Sequence, residues 1–248
     1  FIEEVFDSRE LGVLELHWRL AVNTHQFSID DFYNDAKVGT LPAVAFIDSH
    51  IGAESYDQDD EHPPATPQGG QRFVAQVVDA LTKSPAWSSS ALFLTYDEHG
   101  GLWDHVPPPP ACPPDARAAT LEPDDPPGGF DRYGVRVPMM LVSPFARKHH
   151  VAHRVYDHTS ILRFIEARFV LPAITARDAN ALAPWDMFDF SAPAFADPPA
   201  VPLPEPCAGK CVMTHALSGA GSDEPASERN APEVPGVVPP IKSATPTP

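Results

Sequence analysis

Three short apolar runs, each bounded by turn residues, constrain this chain more than any other feature. Pro42 precedes Ala43-Val44-Ala45-Phe46-Ile47, and Ala91-Leu92-Phe93-Leu94-Thr95-Tyr96 stops at Asp97. The third run, Val137-Pro138-Met139-Met140-Leu141-Val142-Ser143, carries its proline near the start, where a strand loses least by lacking an N–H. Unalternated runs of this length suit buried strands. Between the first two, Phe73, Val74, Val77, Val78 and Leu81 recur at helical spacing before Pro85, predicting an amphipathic helix over 70–83. Ile161, Leu162, Ile165 and Phe169 do the same for 158–169, and Ser28 with Asp31 opens a capped helix over 28–38 with Gly39 after it. Buried strands alternating with helices predict an α/β domain, a largely parallel sheet flanked by helices. In such sheets the site lies off the carboxyl ends of the strands.

Proline sets the limits of that domain. Nine prolines and Gly128-Gly129 within 106–129 make that stretch a long excursion, and the polar residues 48–69 form another loop. Residues 1–27 show no confident element. After Phe190 the texture changes: 13 of the last 58 residues are proline, with Ser, Ala and Glu filling the gaps, too little apolar matter for a packed core. The division is therefore 1–190 as catalytic-type domain and 191–248 as a Pro-rich C-terminal tail, mostly disordered from about 216. The net charge of −17 argues against nucleic acid as a partner, because phosphate-backbone affinity rests on Lys and Arg. It leaves a small phosphorylated substrate open, since a local metal reverses the field inside one pocket. No run approaches the length of a transmembrane helix, and the basic residues make no case for anchoring to an anionic membrane. Cys207 and Cys211 either pair in an exported protein, leaving Cys112 free, or all three stay unpaired. A chain that starts at Phe1 reads as a processed product or a fragment.

The densest chemistry is Thr95-Tyr96-Asp97-Glu98-His99-Gly100-Gly101-Leu102-Trp103-Asp104-His105-Val106, at the end of the second strand. Carboxylates with imidazoles are what a divalent hydrolytic metal needs. Asp97 and Glu98 are consecutive and would face opposite ways on a continuing strand, so they converge only if the backbone leaves it, and Gly100-Gly101 supplies that turn. The plain alternative is a set of solvated loop acids. His62, within Asp60-Glu61-His62-Pro63-Pro64, either donates to a phosphoryl oxygen or forms a surface ion pair. Asp157, in Tyr156-Asp157-His158-Thr159-Ser160, is a natural N-cap, and the helix it opens can also face an anion. His149-His150 beside Lys148 is expected on the surface. No Gly-x-Ser-x-Gly elbow announces a nucleophile.

Several of these segments occur in a fixed order. Leu41-Pro42-Ala43-Val44 leads into a strand, followed by Asp60-Glu61-His62-Pro63 and by Trp87 ahead of the second strand. Tyr96-Asp97-Glu98-His99-Gly100-Gly101 runs on through Asp104-His105-Val106-Pro107-Pro108. Gly129-Phe130-Asp131-Arg132-Tyr133-Gly134-Val135-Arg136-Val137-Pro138 and the stretch from Tyr156-Asp157-His158 to Ile165-Glu166 complete the set. Together, over roughly residues 28–190, they resemble the phosphoesterase family of bacterial phosphatidylcholine-type phospholipases C and related acid phosphatases. That resemblance implies an alkaline-phosphatase-like α/β fold and metal-dependent hydrolysis of phosphoric esters, phospholipid before small phosphate ester as substrate. It implies Asp97 and Glu98 as ligands of a divalent metal ion and His62 against the phosphoryl group, with His99 beside them in a catalytic role. Asp104, His105, Asp157 and His158 match its motifs without a separable role. It also implies an exported parent protein, periplasmic or extracellular. The family's upstream half, with an Asn-Arg-Ser-Phe-Asp-like segment, further metal ligands and the nucleophilic hydroxyl, has no counterpart in this sequence.

Two other readings stand beside this one. The chain is an inactive truncated form or pseudoenzyme that keeps the second half of the fold, or it is an unrelated metallohydrolase whose ion is held by Asp97, His99 and His105 with metal-bound water as nucleophile.

Overall fold

The first helix starts where Ser28 can cap it. In the computed structural model, which describes residues 4–7, 26–50, 59–63, 65, 67–102, 104–118, 120, 123 and 129–204, helix α1 spans Ile29–Val38. The Ser28 side chain accepts from Asp31 N, and Asp31 answers at the Ser28 backbone, the reciprocal pairing read in the sequence. Gly39 ends the helix at φ 81°, and its N–H donates to Asp35 O, a left-handed cap that glycine adopts at least cost. Helix α2 spans Pro67–Lys83, three residues earlier than expected, because proline at the first helical position gives up an N–H that had no partner anyway. Helix α3 spans His158–Phe169, as expected, and a short helix α4 spans Ala176–Asn180.

Five strands are present among the described residues: β1 Glu4–Asp7, β2 Gln26–Ser28, β3 Ala45–Asp48, β4 Leu92–Thr95 and β5 Met139–Val142. The order β2-β1-β3 is parallel, with Val5 opposite both Gln26 and Phe46. The pair β4-β5 is antiparallel, Leu92 opposite Val142 and Thr95 opposite Met139. One largely parallel sheet through all the apolar runs is therefore not what the described strands form. The reason lies in the connection: a parallel neighbour needs a crossover, usually helical, and the described residues between β4 and β5 contain no helix. The Pro-rich excursion returns the chain in the opposite direction instead.

Phe32 of α1 packs with Phe73 and Val77 of α2, and Phe27, Ile47, Val74 and Leu92 close around them. Each such side chain, fully buried, contributes roughly 1.5–3 kcal/mol. A second cluster is aromatic: Phe164 of α3 stacks on Phe188 and meets Phe93 of β4 edge-on, and Phe188 stacks on Phe190. Residues 191–204 run against the body: Phe195 O accepts from Trp87 Nε1, and Pro204 O accepts from Arg72. Cys207, Cys211 and the remaining tail lie outside the described residues, as do residues 8–25. His150, expected on the surface, is half-buried and turned to Asp186, which Tyr156 and Arg154 also address.

Helices α3 and α4 are joined by two buried acids. Asp178 accepts from Ile174 N, Thr175 N and the Thr175 hydroxyl, while Glu166 Oε1 receives no donor from any described residue. The other Glu166 oxygen accepts from Arg163 Nη1 at 3.4 Å, and the Asp178 carboxyl is a close acidic neighbour. Desolvation opposes ionisation of both. Glu166 is held above its ordinary value by that burial and by Asp178, whereas the bonds from Glu166 and Thr175 carry Asp178 well below its own. Protonation is therefore favoured on Glu166 over Asp178. Asp178 contributes stability above its unfolded pKa and loses it toward acid; Glu166 contributes below its unfolded pKa and loses it as pH rises through its raised folded value. Urea unfolding followed between about pH 5 and pH 8 is expected to show stability falling as pH rises, and Glu166→Gln, which keeps a donor toward Asp178, to flatten that fall. An unchanged slope in the variant contradicts a raised Glu166 carboxyl.

Candidate active site

Strand β4 ends at Thr95, and the chain leaves it at once. Gly100 and Gly101 turn the backbone at φ 62° and 75°, so Asp97, Glu98 and His99 lie beyond the strand and its alternation of faces no longer separates them. The Thr95 hydroxyl donates to Pro138 O at 3.0 Å and fastens the strand end to the segment entering β5. Tyr96 is the junction. Its hydroxyl donates to Glu61 Oε2 at 2.6 Å, and its carbonyl accepts from His158 Nε2 at 2.8 Å. A carbonyl only accepts, so that imidazole carries its proton on Nε2. The loop after β3, the loop after β4 and the start of α3 are thereby tied at one residue.

Glu61 sits at φ 65°, a left-handed backbone uncommon outside glycine. Its side chain lies over Gly70 of α2, where a Cβ would stand 2.2 Å from Glu61 Cγ and 2.7 Å from Oε1. Only glycine leaves that space. The Glu61 bond, with burial and the carboxylate charge behind it, pushes the Tyr96 phenol up to about 12.

Next to Glu61, His62 points at the β4 loop. Its Nδ1 donates to Pro63 O at 2.8 Å, which leaves Nε2 facing Glu98 Oε1 at 3.4 Å. The other Glu98 oxygen accepts from His99 Nδ1 at 2.9 Å and from Gly100 N at 2.8 Å. These bonds, His99 first, hold the Glu98 carboxyl below its usual range. His62, Glu98 and His99 thus form one cluster open to solvent, with His62 59% and Glu98 47% exposed, accessible enough for a substrate to enter between them. Asp97 adjoins it and accepts from Glu98 N.

The other candidates are placed differently. Asp104 takes two bonds from Arg136, Nη2 reaching Oδ1 at 3.0 Å, and Arg136 draws its pKa down to about 2. His105 faces the same Asp104 at 3.3 Å and is otherwise exposed. Asp157 caps α3, accepting from Thr159 N at 2.6 Å and from the Thr159 hydroxyl, and burial, then the nearby Asp157 carboxylate, raises the Tyr133 phenol. His158 serves the Tyr96 carbonyl. Sequence reasoning gave no role to Glu61, Tyr96, Gly70 or Arg136; all but Gly70 stood in quoted motifs, yet pairing across 32 or 35 residues leaves no periodic trace.

Among the described residues no three His, Cys, Asp or Glu side chains are grouped so as to hold a metal ion. His99 and His105 turn to different carboxylates, Glu98 and Asp104, so the trio Asp97, His99 and His105 does not form a centre. Asp97 and Glu98 do not make one by themselves.

The profile of the Phosphoesterase family matches residues 15–172. Non-specific phospholipase C1 of Arabidopsis thaliana is 37% identical over 171 residues, 64% of this chain and 32% of that protein. Non-hemolytic phospholipase C of Burkholderia pseudomallei is 38% identical over 185 residues, 66% of this chain and 25% of that protein. Phospholipase C B of Mycobacterium tuberculosis is 34% identical over 174 residues, 66% of this chain and 32% of that protein. The chain belongs to the Phosphoesterase family. It spans a third or less of the length of these curated relatives.

The packing of Glu61 against Gly70 has a spectroscopic consequence. Glu61→Gln is expected to bring the Tyr96 phenol down from about 12 toward 10, read as phenolate absorbance in a difference titration, with Tyr96→Phe identifying the signal. Gly70→Ala is expected to give the same drop, because the methyl displaces the carboxylate. A phenol titration unmoved by Gly70→Ala contradicts the close approach.

Proposed function

We propose that the protein of which this chain is part hydrolyses phosphoric esters on an alkaline-phosphatase-like fold, with phospholipase C-type cleavage of a phosphodiester ahead of phosphomonoester hydrolysis. The single observation that carries this reading is the meeting of His62, Glu98 and His99 in one solvent-open cluster. Family membership and the phospholipase C names of the relatives support it. The substrate is then a phospholipid or a small phosphate ester, and the parent protein is an exported one.

In this reading His62 is the catalytic residue nearest the phosphoryl group. Its ring is oriented by the Nδ1 bond to Pro63 O, so in the doubly protonated ring Nε2–H donates to an equatorial oxygen or passes its proton to the leaving oxygen. His99 positions Glu98 and, once substrate displaces that contact, donates on the opposite side. Asp97 and Glu98 would hold a divalent ion with two carboxylates, and its remaining ligands and the nucleophilic hydroxyl would come from outside the described residues. The ion's chemistry when bound is Lewis-acid polarisation of the phosphoryl oxygens.

Full-length relatives carrying the equivalent of His62→Ala are expected to lose about 10²-fold in turnover while keeping their unfolding transition. Retention of activity within about tenfold removes the acid role from His62. In parallel, this chain and a full-length relative are assayed on a chromogenic phosphodiester and a phosphomonoester, with divalent metal and with chelator. The expected result is chelator-sensitive turnover by the relative and none by the chain alone. Turnover by the chain places a complete site within its own residues and overturns the assignment of the nucleophile elsewhere.

A further inference from the structure

We propose that the hollow between α3 and α4 binds a single-chain anionic amphiphile, its charged head at two arginines and its alkyl chain on the apolar floor. This site does not rest on the hydrolytic reading. The hollow has a volume of about 300 Å³ and is lined by Phe130, Leu162 and Ile174, with Arg132 and Arg177 at its edge. That volume is at the small end for ligand pockets, which run from about 300 to 1,000 Å³.

Two independent features point to such an occupant. The apolar lining is left open: Phe130 is 46% and Ile174 69% exposed, side by side on one concave surface, whereas exposed apolar groups gathered into a patch mark a binding surface. The charge is the second feature. The chain carries −17, yet neither Arg132 nor Arg177 makes an ion pair with a carboxylate among the described residues. Arg132 donates to Pro108 O, and Arg177 donates to Phe130 O while stacked over Tyr133. Both heads are therefore held by carbonyls and a ring, which fix their positions and leave their charge and remaining N–H donors available. Asp178 also lines the hollow, but its oxygens are taken by Ile174 N, Thr175 and Glu166. An anion meets two oriented guanidinium groups next to an apolar floor; an alkyl cation or an anion without an alkyl tail satisfies only one half of the surface.

A fatty carboxylate and an alkyl phosphate share this chemistry, and the test separates them. Isothermal titration of the chain at low ionic strength uses decanoate and decyl phosphate below their micellar concentrations, with decyltrimethylammonium and inorganic phosphate as comparators. Saturable one-to-one binding of at least one decyl anion is expected, with both comparators at least about tenfold weaker. The anion that binds identifies the head group. Arg132→Gln and Arg177→Gln are each expected to weaken binding about tenfold, the scale of one lost charge-assisted hydrogen bond. Ile174→Ser and Phe130→Ser, at exposed positions and with an unchanged unfolding transition, are expected to weaken the decyl anion by a similar factor. Absence of saturation with both anions, equal binding of the decyl cation, or binding indifferent to Ile174→Ser and Phe130→Ser overturns the site.

Discussion

Tyr96 donates its hydroxyl to Glu61 and lends its carbonyl to His158, and through those two bonds the residue after β4 holds three separate pieces of chain. Everything proposed for the site depends on that arrangement. The Glu61 bond, together with His62 N donating to Asp60 Oδ1 across the same residue, holds the left-handed backbone that aims His62 at Glu98. The bond itself exists because α2 offers a glycine where the carboxylate must pass. A local strain at one residue, Glu61, is thus kept by a tertiary hydrogen bond and by a missing Cβ on a neighbouring helix, the way strained backbone persists when its surroundings over-determine it.

The electrostatics of the cluster follow from bonds rather than burial. Glu98 is held ionised by His99 and Gly100, and Asp104 by Arg136, all near solvent. Such groups keep their charge over a wide pH range, yet their fields are screened within about one Debye length, roughly 8–10 Å. Their action is consequently limited to whatever lies in direct contact: a bound phosphoryl group or an ion. The buried pair Glu166–Asp178 is the opposite case: desolvation, with Asp178 beside it, raises Glu166, while the donors on Asp178 outweigh desolvation there and hold it down. One chain uses the same residue type as an exposed anion and as a buried carboxyl biased toward its neutral form, and the environment alone decides between them.

Much of the frame was legible in the sequence because it obeys local rules. The Ser28–Asp31 cap, the period of Phe73, Val77 and Leu81, and the Asp157 start of α3 all appear where pattern and capping chemistry put them. Strand direction was not legible. Apolar runs report burial, while the direction of β5 was set by a 43-residue separation between Thr95 and Pro138 that carries no helical period. The site was half legible: the motif residues His62, Glu98 and His99 meet, while Asp104 and His105 belong to an Arg136 pair that only the fold brings together. His150 was misread because Lys148 and His149 beside it look like surface, and an imidazole facing Asp186 from 36 residues away has no signature in sequence.

The first turn of α3 shows how one short segment distributes several tasks. Successive residues on a helix point about 100° apart, so His158 can reach the Tyr96 carbonyl while Thr159 faces the hollow beside Leu162. Asp157 stands just before them, accepting from the Thr159 backbone and hydroxyl. A carboxylate engaged by a backbone N–H and a hydroxyl gains little from leaving them for a substrate or an ion, because each abandoned donor must then be satisfied elsewhere. Its presence in the family motif is accounted for by capping: Asp157 sets the start of the helix, and the start of the helix sets where His158 stands relative to the β4 loop.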